Sequence, residues 1–300
     1  MARSIAAVFR HASDPNPTCS TRPQPIPCAA MSTAAYQEVA RCRVCGNDRL
    51  DPILHLGVQH LTGVFPQHRA EPISAGPLEL VKCHETGRGE TCGLVQLRHN
   101  YRPDDMYRGH YGYRSGLNEL MVRHLHELVA AIEQQLPLRT GDVVLDIGSN
   151  DATLLKAYRA TGLSRIGIDP SAGNFREFYP PDIALVTDYF SARAYRSIMG
   201  TRPARVITSI AMFYDLPAPL EFMREIKEIL APDGLWVFEQ SYMPTMLERN
   251  AYDTICHEHL EYYGLRQIEW MVERAGLKIL DVVLNDVNGG SFCVTACHQT

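Results

Sequence analysis

The sequence has no apolar run approaching the roughly 20 residues needed to cross a bilayer. That excludes a transmembrane helix and predicts a soluble protein without a membrane partner. A basic excess is also missing. Lys and Arg number 29 against 34 Asp and Glu, the formal net charge is −5, and the pI is near 6.2. The broad positive surface used for non-specific nucleic-acid binding is therefore absent, and nucleic acid is not an expected partner. Ser4 to Phe9 is too short an apolar stretch for a secretory signal. Nine cysteines is an odd total, and four of them fall between positions 42 and 92 at metal-ligand spacing rather than spread as a disulfide framework. A reducing, cytoplasmic setting is expected.

With 300 residues and 45% hydrophobic content, the chain can bury one sizeable core and leave material for a smaller module. The first 35 residues hold five prolines, three arginines and one acid, a composition that predicts a disordered extension over 1–36. Met31 is a candidate translation start. A zinc-binding module is expected over 37–105 and a helical connector over 106–140, the latter because Leu117, Leu120, Met121, Leu125, Leu128, Val129, Ile132 and Leu136 recur at helical spacing.

From 141 to 300 the apolar runs Val143 to Ile147, Arg165 to Ile168, Ile183 to Thr187, Arg205 to Met212 and Leu235 to Glu239 alternate with helix-like stretches. Continuous Val/Ile/Leu runs mark strands covered on both faces, so the fold class is α/β with a doubly wound, mostly parallel sheet. A helix near Gln267 to Ala275 is followed by two strand candidates, Lys278 to Asn285 and Ser291 to His298, joined by Asn288-Gly289-Gly290 as a hairpin. A terminal antiparallel hairpin suits the Rossmann-like class I methyltransferase sheet better than a dinucleotide-binding one.

The first strand leads into Asp146-Ile147-Gly148-Ser149-Asn150-Asp151, at the carboxyl end where ligands of such sheets bind. No G-x-G-x-x-G stands there to seat a pyrophosphate, and the carboxylates present would repel phosphate. They suit S-adenosylmethionine, which carries an ammonium and a sulfonium. Asp146 is expected to meet the cationic amine, Gly148 to allow close backbone approach beside Asn150 and Asp151, Asp169 to accept from the ribose hydroxyls, and Asp188 to meet the adenine amino group. Each Asp alone reads equally well as a helix cap; three acids at successive strand ends favour the cofactor.

Cys42-Arg43-Val44-Cys45-Gly46 is a C-x-x-C knuckle suited to tetrahedral zinc, and Cys83 with Cys92 completes four sulfurs. The second spacing is long, and His84 or His99 remains an alternative ligand. Four protein ligands leave no open position, so the zinc is expected to be structural. The stretch Cys256-His257-Glu258-His259-Leu260-Glu261 is not the metalloprotease H-E-x-x-H, because position 261 is Glu. Two histidines around a carboxylate instead offer a general base and its partner.

With Cys92-Gly93-Leu94-Val95-Gln96-Leu97, Tyr111-Gly112-Tyr113-Arg114-Ser115 and Asn288-Gly289-Gly290-Ser291, these motifs resemble the nucleotide-sugar C-methyltransferases over about residues 40–298. The resemblance implies His259 as the base, Glu258 in the same catalytic segment, and Tyr111 or Tyr113 as a hydrogen-bond donor to a developing oxyanion. It also implies a nucleotide-linked ketosugar as the small-molecule substrate. This chain has Ala152 where relatives commonly have glycine, and Cys256 where they place a tyrosine, whose role is left vacant or falls to Tyr111, Tyr113 or Tyr262. A small-molecule O- or N-methyltransferase, and a non-catalytic binding protein on the same fold, are the competing readings.

Overall fold

A computed structural model describes residues 36–299, apart from 65, 67, 88 and 108–110. The extension expected over 1–36 lies outside the described residues except for Tyr36, which opens a strand. The described residues form one compact unit, within which the boundaries expected near 105 and 140 fall.

The first strand, β1 (Tyr36–Glu38), is short, and β2 (Leu50–His60), β3 (Ala75–Cys83), β4 (Val95–Leu97) and β5 (His99–Tyr101) follow it. β1 pairs antiparallel with β5. Helix α1 (Pro103–Tyr107) leads towards α2 (Glu119–Gln135). The helix whose apolar spacing begins at Leu117 starts later, because the Asn118 side chain accepts hydrogen bonds from the Leu120 and Met121 amides and caps it there. Leu117 and Leu120, counted on the apolar stripe, stay about 70% and 69% exposed; Met121, Leu125, Val129 and Ile132 carry the buried face.

The remaining elements alternate: β6 (Val143–Ile147), α3 (Thr153–Lys156), β7 (Ser164–Ile168), β8 (Ile183–Val186), α4 (Ala192–Met199), β9 (Ala204–Ile210), α5 (Pro219–Ile229), β10 (Leu230–Ser241), α6 (Met243–Arg249), β11 (Glu261–Tyr262), α7 (Leu265–Ala275), β12 (Leu277–Asn285) and β13 (Ser291–His298). Seven strands make the main sheet in the order β12-β13-β10-β9-β6-β7-β8. β6 to β10 pair in parallel and β13 runs antiparallel between β10 and β12, which is the class I methyltransferase arrangement. Strand periodicity splits the core in two. Val143, Leu145 and Ile147 join Trp236 and Phe238 on one face, while Val144 joins Leu235 and Val237 on the other, against α2.

The sequence did not disclose a second sheet, β11-β4-β3-β2, all antiparallel. Its outer member β11 comes from far along the chain and brings Leu260 and Tyr262 onto Leu78, Leu80, Val95 and Leu97. The segment 257–262 is thus held by the N-terminal strands as well as by the main sheet.

Candidate active site and metal centre

The Sγ atoms of Cys42, Cys45, Cys83 and Cys92 all lie within 4.8 Å of one another. Cys42–Cys92 is 3.4 Å and Cys45–Cys83 is 3.5 Å, too long for disulfides. Both are near the roughly 3.8 Å edge of a sulfur tetrahedron around zinc at about 2.3 Å. Without a cation, hydrogen bonding among the thiols lowers Cys45 but raises Cys92, and raises Cys42 to about 12. The cluster therefore accommodates few thiolates unless a metal ion offsets their charge. Asn47 Nδ2 donates to Cys83 Sγ at 3.4 Å, and the His84 ring turns away to Asp51 at 2.7 Å. His99 is outside the set too, with its ring against Tyr36. The residues present fit zinc.

A cavity of about 430 Å³ opens at the carboxyl ends of β6, β7 and β9. Asp146, Gly148, Asn150, Asp169, Tyr111 and Tyr113 line it; Asp151, Asp188, Glu258 and His259 do not. Asp146 is 4% exposed and accepts from Thr208 Oγ1 at 2.6 Å. Desolvation pushes its carboxyl up to about 7, against the lowering effect of Thr208 and with Asp169 adding to the rise. Asp169 Oδ2 accepts from the Asn150 amide at 2.8 Å, and Oδ1 accepts from the Ser171 amide and hydroxyl at 2.6 and 2.7 Å. Gly148 has φ 74°, and a side chain there would press on Met212. Ala152 takes φ 62° just before α3, the left-handed backbone that glycine adopts without strain.

Asn150 and Asp151 hold the chain before α2. Asn150 accepts from the Ser115 amide at 2.9 Å and donates to the Tyr113 carbonyl at 2.9 Å. Asp151 accepts from the amides of Gly116 and Thr153 at 3.0 and 3.2 Å. Asp151 meets the first amide of α3 from one residue before the Ala152 N-cap. Asp188 is exposed, with its carboxylate accepting from the Tyr189 amide at 2.9 Å, while Tyr189 and Phe190 line the cavity.

His257 is fully buried, its Nε2 3.4 Å from the Gly76 carbonyl and its ring edge-on to Tyr101; burial lowers its pKa. Glu258 Oε2 accepts from Thr62 Oγ1 at 3.3 Å, and its carbonyl accepts from the Tyr107 hydroxyl at 3.4 Å. His259 Nδ1 lies 2.8 Å from the Thr254 carbonyl. A carbonyl only accepts, so Nδ1 carries a proton, and the tautomer this selects has its lone pair at Nε2. The ring packs on Tyr214 at 4.1 Å between centroids. The Leu260 amide donates to the Tyr214 carbonyl at 2.8 Å, which ties this segment to the turn after β9. Tyr262, the remaining candidate for the role left open by Cys256, donates to the Thr254 carbonyl at 3.4 Å and lies off the cavity.

Sequence reasoning missed Tyr107 and Asp215, which line the cavity. Asp215 Oδ1 is out of contact with solvent and has no hydrogen-bond partner. Burial raises its carboxyl well above the ordinary range, and nearby His259 opposes the rise. An acid five residues past the end of β9, on the turn at that strand's carboxyl end, was the available signal.

A family model described as "Methyltransferase domain" matches residues 113–282, more than half of the chain. Another, described as "Putative zinc binding domain", matches 42–107. The chain is 31% identical over 262 residues to C-methyltransferase NovU of Streptomyces niveus, a match covering 86% of this chain and 60% of that protein's length. Among solved structures, the mitomycin 7-O-methyltransferase MmcR aligns at 14% identity and TM-score 0.46, covering 61% of this chain and 55% of that one. An S-adenosylmethionine-dependent methyltransferase from Clostridium acetobutylicum aligns at 13% and 0.45, covering 60% and 92%. At those scores neither likeness bears on substrate or chemistry. The match over 113–282, on a sheet of methyltransferase order with its ligand cavity at the strand ends, places the chain in the methyltransferase family, with a zinc-binding module preceding the catalytic fold.

Proposed function

We propose that the chain is an S-adenosylmethionine-dependent C-methyltransferase acting on a nucleotide-linked ketosugar, with His259 as the base. The observation carrying this reading is the His259 tautomer: Nδ1 is occupied by the Thr254 carbonyl, so Nε2 is the nitrogen free to take a proton. The relative named as a C-methyltransferase supports the choice of carbon as acceptor.

S-adenosylmethionine, when bound, supplies the electrophilic methyl group. The chain's own residues bind, orient and move a proton. Asp169 is assigned to the ribose hydroxyls, Asp146 to the cationic amine, and Gly148 to close backbone approach. Asn150 and Asp151 keep the loop in place. Tyr189 and Phe190 are better placed than Asp188 to meet the adenine. A hydrogen on carbon beside a ketone is acidic because the charge delocalises onto oxygen, and Nε2 of His259 takes it. Tyr111 or Tyr113 donates to the developing oxyanion, and Glu258 orients the segment. Alignment of bound reactants contributes roughly 7–11 kcal/mol in favourable cases. Four thiols held for a metal favour a reducing compartment, the cytoplasm. Among the described residues no helix is long and apolar enough to cross a membrane.

The test is incubation with methyl-labelled cofactor and a panel of nucleotide-linked 4-ketosugars, followed by locating the label. Label on the carbon beside the ketone is expected. Label on oxygen or nitrogen would replace this reading with the O- or N-methyltransferase one, and failure to bind the cofactor would leave a binding protein.

A further inference from the structure

Arg43 lies between the knuckle cysteines, but its side chain leaves the metal cluster. Its amide donates to Gln96 Oε1 at 2.9 Å. Nη1 donates to the Leu97 carbonyl at 2.5 Å, and Nε and Nη2 both donate to Asn100 Oδ1, at 3.2 and 2.5 Å. Nε also lies 3.6 Å from Glu261 Oε1, with the two side chains 2% and 0% exposed. Neither Glu261 carboxyl oxygen has a hydrogen-bond partner; burial raises this carboxyl well above the ordinary range, and the neighbouring Arg43 charge opposes the rise.

Glu261 faces Gln96 across the β4–β11 pairing and stands two residues beyond His259. One guanidinium therefore spans the knuckle, the edge of the second sheet and the candidate base segment. Further ties run the same way. The Leu97 amide donates to the Leu260 carbonyl at 2.9 Å, and Gln267 Nε2 donates to the carbonyl of Cys92, itself a candidate metal ligand, at 2.8 Å. On the other side of the segment, Thr62 holds Glu258.

We propose that Arg43 is a positioning residue: the zinc knuckle fixes its guanidinium, and the guanidinium, through Glu261, fixes where His259 stands relative to the cavity. The catalytic consequence rests on the base role given to His259 above; the physical coupling does not. By linkage, coupling between knuckle and base segment is reciprocal. Loss of the Glu261 carboxyl should therefore loosen the metal, as loss of Arg43 should displace the imidazole.

The full, zinc-loaded chain is compared with Arg43→Met, Arg43→Lys, Glu261→Gln and the double variant Arg43→Met/Glu261→Met. His259 is followed through its ring nitrogen resonances, and zinc release through a chromophoric chelator. Arg43→Met and Glu261→Gln should shift the His259 resonances and speed zinc release several-fold. Arg43→Lys should shift them less, and the double variant, which strands no charge, should move them back. If methylation is the activity, Arg43→Met should also lower kcat by roughly tenfold to 100-fold with KM little changed. Unaltered His259 resonances, or unaltered zinc release, in a folded variant would overturn the coupling. Should Arg43→Met fail to fold, the near-isosteric Glu261→Gln applies the same criteria. A wild-type chain that methylates nothing but shows the resonance shifts would refute the proposed activity and leave the coupling standing.

Discussion

Replacing Gly63 with alanine should displace the Glu258 carboxylate. Gly63 has φ +72°, and a Cβ built on it falls 1.6 Å from Glu258 Oε1 and 2.8 Å from Cδ. Those atoms are the end of a flexible side chain, so the backbone can stay while the carboxylate swings away and loses its 3.3 Å contact with Thr62. An L-residue in the left-handed region costs about 1–2 kcal/mol. For a unit of this size each kcal/mol lowers Tm by roughly 2–4 °C, giving a fall of about 2–8 °C by calorimetry. Cofactor affinity should change little, because neither Gly63 nor Glu258 lines the cavity. Turnover should fall towards that of Glu258→Ala. A Gly63→Ala protein with wild-type Tm and wild-type turnover would refute the reasoning on both counts.

The Asp146 carboxyl, raised to about 7 by burial, should make cofactor affinity fall as pH drops through 7, since protonation removes the charge that meets a cationic amine. Calorimetric titration from pH 5.5 to 8.5 should show this trend, and Asp146→Asn should flatten it. In the free protein the sign for stability is opposite. Between the unfolded value near 4 and about 7 the native state binds more protons, so this group's contribution to stability declines as pH rises across that window. Metal analysis should return one zinc per chain, and Cys92→Ser should lose it; a zinc-free wild-type protein of unchanged Tm would remove the metal centre.

The main sheet was legible because Val143–Ile147 and its neighbours are covered on both faces, so apolar continuity alone marks them. The second sheet was not. β2 is largely exposed and breaks the alternation, and β11 is two residues whose partner lies more than 160 positions earlier. The same non-locality hid Tyr107 and Asp215, since a single tyrosine or aspartate has no periodicity to betray it. Periodicity also over-counted the α2 stripe, because spacing reports which face a residue shares and not whether anything packs on that face. The four cysteines were readable as a set. The acids at the strand ends were readable as candidates only, and Asp151, which takes up the Gly116 and Thr153 amides, shows why: an acid that holds a loop and an acid that binds look alike in sequence.

The most direct test is hydrogen exchange at the carbon beside the ketone of a nucleotide-linked ketosugar in deuterated water, followed by NMR for wild type and His259→Ala. The account predicts deuterium uptake catalysed by wild type and reduced to the solvent background in His259→Ala, with cofactor affinity retained in both. Exchange at the wild-type rate in His259→Ala would contradict it.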